Sequence, residues 1–165
     1  MGETHNRIER IDGSLQVTPA PTPRHRAISH RLARLLEEPA AAAGLLVLPA
    51  VNLRLKPGRI PIPDLVLADA AIDRDELVVP AERVALVAEI FSPSTAMTDR
   101  VQKMHVYAAA GIDHYLLLVE PRGPRLHLHR REGDTYAEGV AAGPGARLEL
   151  TDPVRVTIDP AALLP

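Results

Sequence analysis

Eight consecutive residues, Val84-Ala85-Leu86-Val87-Ala88-Glu89-Ile90-Phe91, carry a single polar side chain. A run that apolar, without alternation, predicts a central strand covered on both faces. The chain must therefore lay other elements above and below it. The exception, Glu89, is the more informative residue. A carboxylate in a doubly covered strand loses its water, so it must be paired, metal-bound or protonated. It also stands late in the strand, where open sheets of this kind place their sites.

The rest of the chain supplies the covering layers. Arg7 to Thr18 reads as a β-hairpin: Ile8 and Ile11 precede Asp12-Gly13, Leu15 and Val17 follow, and Asp-Gly is a strong two-residue turn signal. Thr22 is an N-cap candidate with Pro23 at the first helical position. The helix it starts is expected over Arg24 to Glu38, with Ile28, Leu32, Leu35 and Leu36 on one face and Pro39 as its stop. Leu45 to Leu55 reads as one long strand or a strand pair, bent at Pro49. Asp64 to Ala68 is a short strand, and Ala70 to Ala81 a polar loop. Ser92-Pro93-Ser94-Thr95 breaks the central strand. A second helix is expected from Thr98 or Asp99 to Ala110, closed by Gly111. Strands follow at Tyr115 to Val119, Arg125 to Arg131 and Thr135 to Ala137, with weaker candidates at Arg147 to Leu150 and Val154 to Ile158. Few helices and a buried sheet give an α/β or α+β sandwich with a mixed sheet.

Composition narrows what such a domain can do. The length, 165 residues, predicts one domain spanning 1–165. Its core is aliphatic, since Phe91, Tyr107, Tyr115 and Tyr136 are the aromatic residues. So few rings argue against single-strand binding by base stacking. The absence of cysteine excludes disulfides and zinc thiolates. No signal-type or membrane-length apolar run is present, so a soluble cytoplasmic protein without membrane contact is expected. The net charge of −2 lacks the basic footprint of a non-specific nucleic-acid binder.

Asp64 opens its short strand directly after Pro63. Two carboxylates converging from neighbouring strands would make a hard-oxygen site suited to magnesium or manganese. On the second helix, Lys103 shares a face with Asp99 and Tyr107 at spacings of four. That helix leaves the end of the Glu89 strand and can fold back beside it. A lysine so placed can orient or deprotonate an attacking water and stabilise charge on a phosphate.

Taken together, Pro63-Asp64, Glu89-Ile90-Phe91-Ser92-Pro93-Ser94-Thr95, Asp99, Lys103 and Tyr107 resemble the Uma-type family of restriction endonucleases, within the PD-(D/E)XK nuclease superfamily. Glu9-Arg10-Ile11-Asp12-Gly13 with Pro23-Arg24-His25 resembles the family's opening hairpin and first helix, and Gly111-Ile112-Asp113-His114-Tyr115 its segment after the second. Coverage runs from about residue 8 to residue 130. The resemblance implies a restriction-endonuclease-like mixed sheet flanked by helices, with an N-terminal hairpin. It implies a magnesium- or manganese-dependent endonuclease acting on DNA, with Asp64, Glu89 and Lys103 catalytic and Asp64, Glu89 and the Ile90 carbonyl on the metal. Two departures stand out. The superfamily's lysine lies two positions after the acid, where this chain has Phe91; Lys103 takes its place from the helix. Ser14 stands where the family often has an acid.

Other readings stay open beside this one. The chain could be a catalytically silent binding or regulatory module that kept the fold. His127 and His129 alternate on one strand and face the same way, a spacing that suits zinc or nickel if a third ligand exists. His25 reads as a surface histidine, with contact to a phosphate or a carboxylate as the alternative, Asp99 as a helix cap, Tyr107 as packing between helix and sheet. Glu9 is read as standing apart from the carboxylate pair. Arg122 to Arg125 and Arg130-Arg131 supply local positive charge. A homodimer is expected from mechanism alone, because cutting both strands of a duplex takes two sites.

Overall fold

A computed structural model describes residues 7–11, 14–18, 20–91, 97–119, 123–137 and 139–165. The Asp12-Gly13 turn, the Ser92-Pro93-Ser94-Thr95 break and Arg122 lie outside the described residues, as does the side chain of Asp99. In chain order the elements are β1 (Arg7–Ile11), β2 (Ser14–Thr18), α1 (Pro23–Ala42), β3 (Leu45–Pro49), β4 (Asn52–Arg54), β5 (Leu65–Asp69), β6 (Val78–Pro80) and β7 (Val84–Phe91). They continue with α2 (Met97–Ala109), β8 (His114–Val119), β9 (Arg125–Glu132), β10 (Thr135–Ala137), β11 (Ala141–Ala142), β12 (Leu148–Leu150) and β13 (Val156–Ile158).

Among the described residues the main sheet has seven strands in the order β10-β9-β8-β7-β5-β3, with β11 also paired to β9. β7 sits inside it, antiparallel to β5 and parallel to β8. The parallel step requires a crossover, and α2 supplies it. β1 and β2 form a separate hairpin, with Glu9 opposite Gln16 and Ile11 opposite Ser14.

The unbroken apolar run of β7 is explained by two cores, one on each face of the sheet. Leu86, Ala88 and Ile90 join Ile28, Leu32 and Leu36 of α1. Val87 and Phe91 join Val106 and Tyr107 of α2, with Tyr115 and Leu117 of β8. The period-two alternation of a strand sends successive side chains to opposite layers. Glu89 falls between Val87 and Phe91 in parity, so it points into the α2 layer. Among the described residues, no helix is long and apolar enough to cross a membrane.

Two boundaries depart from the sequence reading, and one alternative it left open is decided. α1 passes through Pro39 and runs to Ala42. Proline removes one helical hydrogen bond, but the alanines after it are the strongest helix formers, and Gly44 at φ 70° ends the turn. Leu45 to Leu55 is a strand pair in two different sheets: β3 in the main sheet, β4 paired in parallel with β6. The turn between them passes through Ala50, which has a positive φ of 51°. The segment expected as loop therefore contains β6, whose three residues are too short to show a period.

Candidate active site

The chain delivers Asp64 on a stiff approach. Pro61 and Pro63 hold the residues before them in extended conformation and remove two backbone donors. The amide left between them, on Ile62, donates to Glu9 Oε1 at 2.8 Å. Glu9 is 3% exposed. The hairpin thus braces the segment that carries Asp64, a role the sequence reading does not give it.

β5 and β7 pair with Leu65 opposite Ala88. Continued by one residue, that antiparallel register sets Asp64 beside Glu89. The Asp64 carboxylate crosses to β7, where Oδ2 accepts from the Ile90 amide at 2.9 Å. Asp64 is 6% exposed and Glu89 3%.

α2 completes the site from above. Lys103 Nζ donates to Glu89 Oε1 at 3.1 Å, and the Tyr107 hydroxyl donates to the same oxygen at 2.7 Å. Lys103 and Tyr107 are one turn apart on α2, so both reach one point on the strand below. Phe91, where the superfamily pattern has its lysine, is buried in the α2 layer.

Burial pushes the Glu89 carboxyl up from an ordinary 4.5 to about 7. The Lys103 charge opposes that, the Asp64 charge adds to it, and the bonds from Tyr107 and Lys103 oppose it again. One cation and one hydroxyl do not offset the burial and mutual repulsion of two carboxylates. Burial also holds the Tyr107 hydroxyl well above its usual range, with the Glu89 charge and hydrogen bond adding to it, so it stays a donor.

The sequence reading misses part of this arrangement. His25, read as a surface residue, sits at the start of α1 with Nε2 3.0 Å from Asp64 Oδ1. The two atoms are close without the alignment of a hydrogen bond. Thr22 fixes that turn as expected, accepting from the His25 amide at 3.2 Å. Tyr107 does pack between helix and sheet, and its hydroxyl also holds Glu89. His127 and His129 stack with ring centres 6.1 Å apart, His129 against Tyr115. Among the described residues no group of three or more His, Cys, Asp or Glu is gathered to hold a metal ion. A buried pair of carboxylates is still a sufficient protein contribution for magnesium, which is bound through one or two of them and keeps several waters. The surplus negative charge at Glu89 and Asp64 fits such a cation.

Tyr107→Phe removes one donor from Glu89 without opening a cavity. It is expected to lower stability by roughly 1.5–3 kcal/mol at pH 8, where the acceptor is charged, and by about half that at pH 5. Urea unfolding at the two pH values measures the difference.

Comparison with known proteins bears on the fold and the family. The fold matches a crystal structure described as "a putative nuclease belonging to DUF820 from Anabaena variabilis", with a TM-score of 0.68 at 15% identity, covering 91% of this chain and 84% of that one. The mixed sheet with its helices is therefore a nuclease-like fold. The family model "Uma2: Putative restriction endonuclease" matches residues 2–161, and the chain belongs to that family. A weaker similarity, TM-score 0.42 at 19% identity, covers 68% of this chain and 9% of one in a "DrdV-DNA complex". No curated protein matches.

Proposed function

We propose that the chain is a divalent-metal-dependent endonuclease hydrolysing DNA phosphodiester bonds. Asp64, Glu89 and the Ile90 carbonyl would hold magnesium or manganese, and Lys103 would be the catalytic cation. The observation that carries this reading is the buried carboxylate pair with a lysine 3.1 Å from one of its members. Family membership supports the reaction class.

When bound, such an ion activates water and withdraws charge from the scissile phosphate. The chain's own groups do the rest. The Ile90 amide fixes one Asp64 oxygen and so the carboxylate's orientation. Tyr107 fixes Glu89 Oε1, leaving the carboxylate little rotation. Lys103 carries positive charge at the same point, where it can orient water and stabilise charge developing on phosphate oxygens. Placing it on α2 rather than β7 leaves position 91 for the core.

Supercoiled plasmid incubated with the protein and magnesium or manganese should be nicked, and chelation should stop it. Absence of cleavage with either ion, on plasmid and linear DNA alike, would overturn the reading. Lys103→Met should reduce the rate by about 10²-fold, the scale of a positioned proton-transfer or charge-stabilising group. If the activity requires cutting both strands, a homodimer is the simplest arrangement, and sedimentation velocity tests it.

A further inference from the structure

Between α1 and the corner joining β3 to β4 lies an open cavity of about 440 Å³. His25, Arg26, Ser29, His30 and Asp64 supply its polar lining. Pro21, Ala33, Pro49, Ala50 and Ile62 supply its apolar lining.

Four observations bear on what it takes. Arg26, Ser29 and His30 follow at helical spacings of three and four, so one face of α1 presents them together. Asp64 lines it, so the cavity touches one member of the carboxylate pair. The volume lies within the roughly 300–1,000 Å³ of small-molecule pockets. It suits one nucleotide rather than the flank of a duplex, which rests on surfaces. Finally, Ala50 is held at φ 51°, in a left-handed conformation that a non-glycine residue rarely adopts. Its amide is tied to the Asp64 carbonyl at 3.2 Å. Backbone strain held in place in this way clusters at ligand sites.

We propose that this cavity receives one unstacked nucleotide of the substrate strand, next to the phosphate being cut. Arg26 meets its phosphate, with Ser29 and His30 as hydrogen-bonding neighbours. Sugar and base lie against Ala33, Pro49, Ala50 and Ile62. The place in the reaction rests on the nuclease reading; the binding itself does not. Extruding a nucleotide is easiest where it is unpaired, so mismatched or single-stranded sites are favoured over perfect duplex.

The test is titration calorimetry with deoxythymidine and deoxyadenosine 5′-monophosphates. The wild-type chain should bind them saturably, and thymidine, which lacks the phosphate, at least tenfold more weakly. Arg26→Ala, at an exposed position, should weaken nucleotide binding at least tenfold. Ser29→Trp, which fills the cavity, should abolish it. Arg34→Ala removes a cation of the same helix outside the cavity and should leave binding unchanged. Absence of saturable binding, or binding indifferent to both Arg26→Ala and Ser29→Trp, overturns the proposal. So does an equal loss in Arg34→Ala. If nucleotides bind as stated but neither magnesium nor manganese supports cleavage of plasmid or linear DNA, the nuclease reading fails and the cavity stands. If cleavage needs Glu89 and nucleotides ignore the cavity variants, the cavity fails alone.

Discussion

Glu89→Gln should abolish DNA cleavage while leaving the chain folded, and Asp64→Asn should do the same. The expected fall is at least about 10³-fold, because metal-supplied charge stabilisation is worth several kcal/mol and each 1.36 kcal/mol is a factor of ten. Both amides keep the volume of the acid they replace. The amide oxygen introduced by Glu89→Gln could still accept from Lys103 and Tyr107, so loss of activity would report the missing charge rather than a disturbed core. The measurement is plasmid nicking in magnesium, with circular dichroism showing that each variant keeps its fold. Equal cleavage by wild type and Glu89→Gln would remove Glu89 from the chemistry. Retention by Asp64→Asn alone would reduce the protein's share of the metal site to Glu89 and the Ile90 carbonyl.

The second large effect is on stability. Glu89 titrates at about 7 in the fold against an ordinary 4.5, so the native chain holds a proton that the unfolded chain has released. Stability from this residue is complete below about pH 4.5, falls as pH rises through the interval to about 7, and is level above it. The gap corresponds to something on the order of 3 kcal/mol. For a chain of this size that is a fall in melting temperature of roughly 5–10 °C between pH 5 and pH 8, without added metal. Glu89→Gln should flatten this component and melt higher than the wild type at pH 8. Magnesium should raise the wild-type melting temperature at pH 8 and leave Glu89→Gln little changed, since only a ligand that prefers the native state stabilises it. A wild-type curve that rises from pH 5 to pH 8 would show that Lys103 outweighs burial at Glu89. The residue that gives the proposed enzyme its activity is thus one that costs the metal-free fold stability, a common bargain at functional sites.

What the sequence makes legible follows from how local each signal is. Glu89 is visible because an acid in an apolar run violates a rule that apolar residues obey. β7 and its two covering layers follow from the same run. Lys103 has only helical spacing to recommend it, and its direction becomes credible through family resemblance. His25 and Glu9 carry no local mark at all. Each touches the site through contacts made by distant segments, Glu9 from the hairpin and His25 from the first turn of α1. Neither periodicity nor capping encodes where those turns dock. The end of α1 is hidden for the opposite reason: a strong local stop signal at Pro39 is overridden by the alanines beyond it and by packing of Ala40 in the core.

Moving the cation from strand to helix changes which substitutions matter. A lysine on β7 would be located by sheet hydrogen bonds, which fix register residue by residue. Lys103 is located by how α2 seats on Val87, Phe91, Tyr115 and Leu117, through side chains such as Val106. A displacement of about 1 Å can cost on the order of 10²-fold in rate. Conservative exchanges in that greasy layer, the kind usually dismissed as neutral, should therefore behave as tuning knobs for catalysis. In a collection of natural variants, part of the selection on activity would be recorded at aliphatic positions that never meet the substrate.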